Sequence, residues 1–165
     1  ILYTIILSFL FSSVCLADFE AGEDAYFAGD YKTALNELKP LAEQGDARAQ
    51  ATLGNMYFWA KGVTQDYKEA EKWNRLAAEN GSSKGQFNLG WSYRFGSGVS
   101  KNLTLSHMWL NVAVSNQGNI FIDDPNVGTA ALTRNIIEKK MTPEQIEEAQ
   151  ILARECIKKN YKDCG

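Results

Sequence analysis

The sequence predicts an all-α fold: a right-handed α-α superhelix of stacked helical hairpins, closed by C-terminal capping helices. Three observations carry that expectation. Residues 47 to 81 match residues 83 to 117 at a constant offset of 36, with nine identities in thirty-five positions. Each copy holds two runs of apolar residues at helical spacing, separated by a glycine-bearing turn. The matched residues, Gln50/Gln86, Leu53/Leu89, Gly54/Gly90, Tyr57/Tyr93, Gly62/Gly98, Val63/Val99, Trp73/Trp109, Ala77/Ala113 and Asn80/Asn116, are structural rather than catalytic types. A period of about 20 to 50 residues marks units that bury their apolar faces only against neighbours.

Residues 1–17 carry no charge and are almost wholly apolar, and Asp18 opens a polar remainder. An apolar run ending in small residues reads as a secretory signal, with Cys15-Leu16-Ala17 supplying the small residues and cleavage expected after Ala17. A retained membrane anchor is the competing reading, but a span needs about 20 apolar residues. Export places the mature chain in the periplasm or outside the cell, with no membrane span. Loss of the signal removes Cys15 and leaves Cys156 and Cys164. Two thiols outside the reducing cytosol read as a disulfide tying the tail to the last helix.

Residues 18–45 form the first expected hairpin. Tyr31, Ala34 and Ala42-Glu43-Gln44-Gly45 align at the same offset with Tyr67, Ala70 and Ala78-Glu79-Asn80-Gly81, and Pro40 is expected to bend or interrupt its second helix. In residues 46–81, Leu53, Met56, Tyr57 and Ala60 define one helix and Tyr67, Ala70, Trp73 and Ala77 a second. Gly62 supplies the turn and Val63 a plug between helix ends. Residues 82–118 repeat the arrangement. Mid-helix Gly54 costs on the order of 1 kcal/mol relative to Ala, so it is expected to admit close approach of Ala70 or Trp73.

Residues 119–165 depart from the repeat. Asp123-Asp124-Pro125 reads as a connector, and one helix is expected from about 127 to 140. Thr142-Pro143-Glu144-Gln145 carries an N-cap, a proline at the first helical position and a capping-box Gln. Ile146, Ala149, Leu152, Ala153 and Ile157 are the expected buried stripe of the last helix.

The segment Ala49-Gln50, Leu53-Gly54, Met56-Tyr57, Gly62-Val63, Asp66-Tyr67, Ala70, Trp73 and Ala77-Ala78-Glu79-Asn80-Gly81 resembles the Sel-like repeat, a branch of the tetratricopeptide solenoids. Residues 46–81 and 82–118 are the two copies, and residues 18–45, with a shorter loop, look like a plain tetratricopeptide hairpin. Ala60 departs from the pattern, standing where the first loop glycine is usual, as do Asn102, Leu103 and Ser106 in the second copy. The resemblance implies a non-enzymatic interaction module, an exported adaptor or regulator that binds a protein or peptide in its concave groove. It leaves two alternatives open: a β-lactamase-like hydrolase of the cysteine-rich type, and a structural or oligomeric envelope component. Oligomeric state is open as well.

Composition and motifs narrow the chemistry. Seventeen Lys and Arg against twenty Asp and Glu, with no basic run, give little for nucleic-acid binding to use. No Ser or Thr stands three residues before any Lys, and no phosphate-cradling glycine loop is present. The single histidine, His107, aligns with Glu71 and is expected on a solvated face, so no catalytic residue, metal site or cofactor is expected. What remains is surface. On a helical wheel Arg48, Thr52, Asn55 and Trp59 share one stripe, with Lys84, Asn88, Trp91 and Phe95 at the same offset. In tetratricopeptide-like solenoids that stripe lines the groove. Aromatic anchors and amide donors there suit an extended peptide.

Overall fold

A computed structural model describes residues 18–117 and 129–165. The expected signal at 1–17, with Cys15, and the connector through Asp123-Asp124-Pro125 lie outside the described residues. Eight helices and no strand occur among those described: α1 (Phe19–Ala28), α2 (Tyr31–Glu43), α3 (Ala47–Phe58), α4 (Tyr67–Glu79), α5 (Ser83–Phe95), α6 (Leu103–Gln117), α7 (Ala130–Glu138) and α8 (Pro143–Lys158). None of them is long and apolar enough to cross a membrane.

Each helix opens on a side chain that accepts from its first-turn amides, and these caps recur with the 36-residue period. Asp30, Asp66 and Asn102 open α2, α4 and α6. Asp46 and Ser82 open α3 and α5. Each cap satisfies amides that a helix start otherwise leaves without partners. Asn102, which departs from the repeat pattern, still accepts from Leu105 N at 3.0 Å. Thr129 caps α7, and Thr142 with Gln145 forms the expected capping box of α8.

The helices pair as hairpins α1/α2, α3/α4 and α5/α6. α1 also packs on α3 and α3 on α5, which places the first helices of the hairpins along the inner side of the stack. One buried cluster, including Tyr26, Leu38, Leu53, Met56 and Trp73, joins the first two hairpins, and a second, including Leu89, Tyr93, Met108 and Trp109, joins α5 and α6 to α8. Val63 and Val99 pack at the edges of these clusters, as expected of loop plugs. The turn glycines have a steric role too. Gly62 (φ 72°) lies against Tyr31 and Gly98 (φ 78°) against the backbone of Tyr67, so a loop side chain would collide with the preceding hairpin.

Polar staples bind successive hairpins. Gln50 Nε2 donates to Ala42 O at 3.0 Å, and Gln86 Nε2 donates to Ala78 O at 3.3 Å. Asn80 Nδ2 then donates to Gln50 Oε1 at 3.0 Å, and Asn116 Nδ2 to Gln86 Oε1 at 3.2 Å. Two of the nine repeated identities, Gln50/Gln86 and Asn80/Asn116, are thus one bond pattern, translated by 36 residues.

Several expectations need correction. α2 runs through Pro40 to Glu43, because Pro40 O still accepts from Gln44 N while Leu38 and Ala42 anchor the helix in the core. The nearest group to Gly54 is Asn74, not Ala70 or Trp73: a Cβ there would lie 2.6 Å from Asn74 Oδ1. Ala60 adopts φ 55°, the conformation that Gly96 takes in the next unit. The helix expected from about 127 to 140 spans Ala130–Glu138. On α8, Ala149 and Ala153 are buried as expected, but Ile157 is 36% exposed and Cys156 takes the inward position. Cys156 and Cys164 are joined in a disulfide with a Cα–Cα distance of 5.3 Å. The tail beyond α8 lies back along α4, where Lys162 Nζ donates to Asn80 Oδ1 and Arg75 donates to Gly165 O.

Candidate interaction surface

α3 and α5 carry the stripe, and the structure divides it in two. Thr52, Asn55 and Asn88 are buried. Thr52 Oγ1 donates to Arg48 O, the back-bond typical of a helical threonine. Asn88 Nδ2 donates both its hydrogens, to Asn55 Oδ1 at 2.8 Å and to Asn74 Oδ1 at 2.9 Å. These amides are internal glue between α3, α4 and α5, and the space above Gly54 is what admits Asn74. Expected as donors to a peptide, they are spent on each other.

The reachable part consists of the cations and rings. Arg48 is exposed, stacked 4.0 Å over the Phe19 ring and paired with Asp46 at 3.3 Å. Lys84 is half-buried. Trp59 is 48% exposed and rests on Phe58, with ring centroids 4.8 Å apart. Phe95 is 53% exposed and lies 4.8 Å from Trp91, while Trp91 itself packs on the cluster that α7 completes with Ala130 and Ile137. The capping helices therefore cover part of Trp91 and leave Trp59 and Phe95 open.

One buried polar cluster escaped the sequence reading. His107 is 0% exposed, not solvated, because α7 lies across α6 at that point. Its Nδ1 accepts from Asn111 Nδ2 at 3.0 Å, an amide whose oxygen accepts from Arg134. An amide nitrogen can only donate, so the ring proton sits on Nε2 and is donated to Glu138 Oε1 at 2.8 Å. The Nε2 bond ties α6 to α7 directly, and the Nδ1 bond holds Asn111 of α6 where it accepts from Arg134 of α7. The i,i+4 spacing was the available signal: Glu71 pairs with Arg75 at 2.7 Å at the same offset of 36. Arg75 is half-buried; desolvation pulls its pKa down, but bonds to Tyr93 and Glu71 outweigh that and raise it. Among the described residues no three His, Cys, Asp or Glu gather as metal ligands.

The Sel1 repeat family model matches residues 47–82 and 83–117. No curated protein matches the chain. Among solved structures, a protective antigen present in uropathogenic Escherichia coli strains, displaying an SLR fold, is 32% identical with a TM-score of 0.76, over 87% of this chain and 30% of that one. A Sel1 repeat protein from Oxalobacter formigenes is 35% identical with a TM-score of 0.57, over 59% of this chain and 40% of that one. The chain thus spans well under half the length of either.

Proposed function

The chain carries two Sel1 repeats in an all-helical solenoid, and we propose that it is a non-enzymatic interaction module, an exported adaptor or regulator that holds a protein or peptide against the inner side of α3 and α5. One observation carries this reading. Trp59 and Phe95 stand at equivalent places in successive repeats, each rests on a single neighbouring ring, and each keeps about half of its surface in solvent. Large rings exposed in register are costly to leave wet and are the residue types that anchor interfaces. The Cys156–Cys164 disulfide supports export, since such bonds persist outside the reducing cytosol.

Affinity capture with the full chain, against a Trp59→Ala, Phe95→Ala variant, tests the reading. Trp91 is left in place because it helps seat α7. The variant is expected to retain at least about tenfold less of a specifically captured partner, equivalent to roughly 1.4 kcal/mol or more. Equal capture by both would remove these rings from the interface. A variant that changes only from oligomer to monomer would assign the surface to self-association.

A further inference from the structure

In the first repeat, the place where the two helices of the hairpin meet their loop is filled from within. Phe58 lies between Trp59 and Tyr67, at centroid distances of 4.8 and 5.1 Å, and Gln65 Nε2 closes the loop onto Phe58 O at 2.9 Å. At the same offset of 36 the second repeat has Arg94 for Phe58, Lys101 for Gln65 and Leu103 for Tyr67. Two uncharged groups have become cations and a ring has become a smaller side chain. The result is a cleft between the end of α5, the start of α6 and the end of α7. Its floor is Phe95, Leu103, Ile136 and Ile137, and its rim is Arg94, Lys101 and Lys140.

No carboxylate lines this cleft, although the chain as a whole carries a formal charge of −3. Helix capping does not demand the cations, because α3 ends at the equivalent point with no basic residue in its last turn. Arg94 lies 4.8 Å over the Phe95 ring and 5.4 Å over Trp91, which holds its guanidinium at the rim. Lys101 and Lys140 are exposed. An apolar floor ringed by three positive charges is complementary to a large apolar side chain flanked by carboxylates.

We infer that this cleft is the specificity pocket of the interaction surface, receiving an acidic peptide segment of a partner through one large apolar side chain between Asp or Glu residues. The inference rests on the interaction-module reading and adds the chemistry of the partner. Phe95 is shared by the exposed ring row and the cleft floor, so a peptide running along α3 and α5 would end there.

Panning the full chain against displayed random peptides, followed by titration of a labelled synthetic binder, decides the matter. Enriched sequences should pair a large apolar residue with neighbouring acids. Their affinity should fall about tenfold or more for Lys101→Glu, Lys140→Glu, two exposed substitutions that leave the melting curve unchanged. It should also fall with added salt for the unaltered chain, and a peptide with Lys in place of its acids should regain affinity for the charge-reversed variant. Binders without acids, or acidic binders indifferent both to the reversal and to salt, would overturn the inference while leaving the interaction module standing. No enrichment of any peptide would overturn both.

Discussion

Gly54 shows how a single missing side chain supports three helices. Its place on α3 lets Asn74 of α4 approach to where a methyl group would sit, and Asn74 then accepts from Asn88 of α5, which also donates to Asn55. Alanine would gain on the order of 1 kcal/mol of helix propensity. It would also displace a buried amide and leave one hydrogen of Asn88 without its acceptor, at about 1–3 kcal/mol. Gly54→Ala is therefore expected to lower stability by roughly 1–2 kcal/mol, read as a drop in the urea midpoint with an unchanged slope. A neutral or stabilising result would mean that Asn74 has another rotamer free of cost. The sequence showed that this glycine needed a tertiary reason but pointed to Ala70 or Trp73. Helical spacing marks which face of a helix is crowded, and it carries no information about which partner crowds it.

Among the elements, the start of α3 depends on one carboxylate. Asp46 is partly desolvated, which by itself raises its pKa, but amide bonds from Ala49 and Arg48 and the Arg48 side chain outweigh that and hold it below the ordinary value. A carboxyl whose pKa is lower in the folded chain adds stability that is complete above the unfolded value and is lost as pH falls through the folded one. Asp46→Asn keeps a capping oxygen without that titration. Its urea midpoint is expected to fall less steeply than that of the unaltered chain between about pH 5 and pH 2. Parallel curves would remove Asp46 from the acid response. Caps of this kind leave a trace in the sequence, since Asp30, Asp66 and Asn102, like Asp46 and Ser82, recur at the 36-residue period, but only the Thr142 cap was read from it. The docking of α7 was not legible. Nothing periodic specifies which part of α6 it covers, so His107, read as solvated by its alignment with Glu71, proves to be fully enclosed against Glu138 and Asn111.

At the scale of the whole molecule, Trp59 and Phe95 stay open, whereas the C-terminal end of the solenoid is sealed by α7, α8 and a tail that returns to Arg75 and Asn80 of the second hairpin. The Cys156–Cys164 bond fixes that return, and both cysteines lie in the core with Met108 and Trp109. Opening so short a loop is expected to lower stability by about 2–3 kcal/mol on the chain-entropy account. Denaturation of a Cys156→Ala, Cys164→Ala variant beside the unaltered chain under non-reducing conditions measures it, and coincident curves would show that packing alone retains the tail. Repeat number, hairpin order and the cysteine pair could be read from sequence because each is a matter of spacing. The side of the stack on which the tail settles depends on contacts more than 80 residues apart, such as Arg75 with Gly165.

The glutamine and asparagine staples have a consequence for ancestry. Each glutamine is held by an asparagine of its own hairpin and donates to a backbone carbonyl of the hairpin before it, so a duplicated copy spliced in at a unit boundary would meet complementary donors and acceptors on both flanks. Growth or shrinkage by whole units costs such a lineage no new invention, and kin of very different reach can descend from one hairpin.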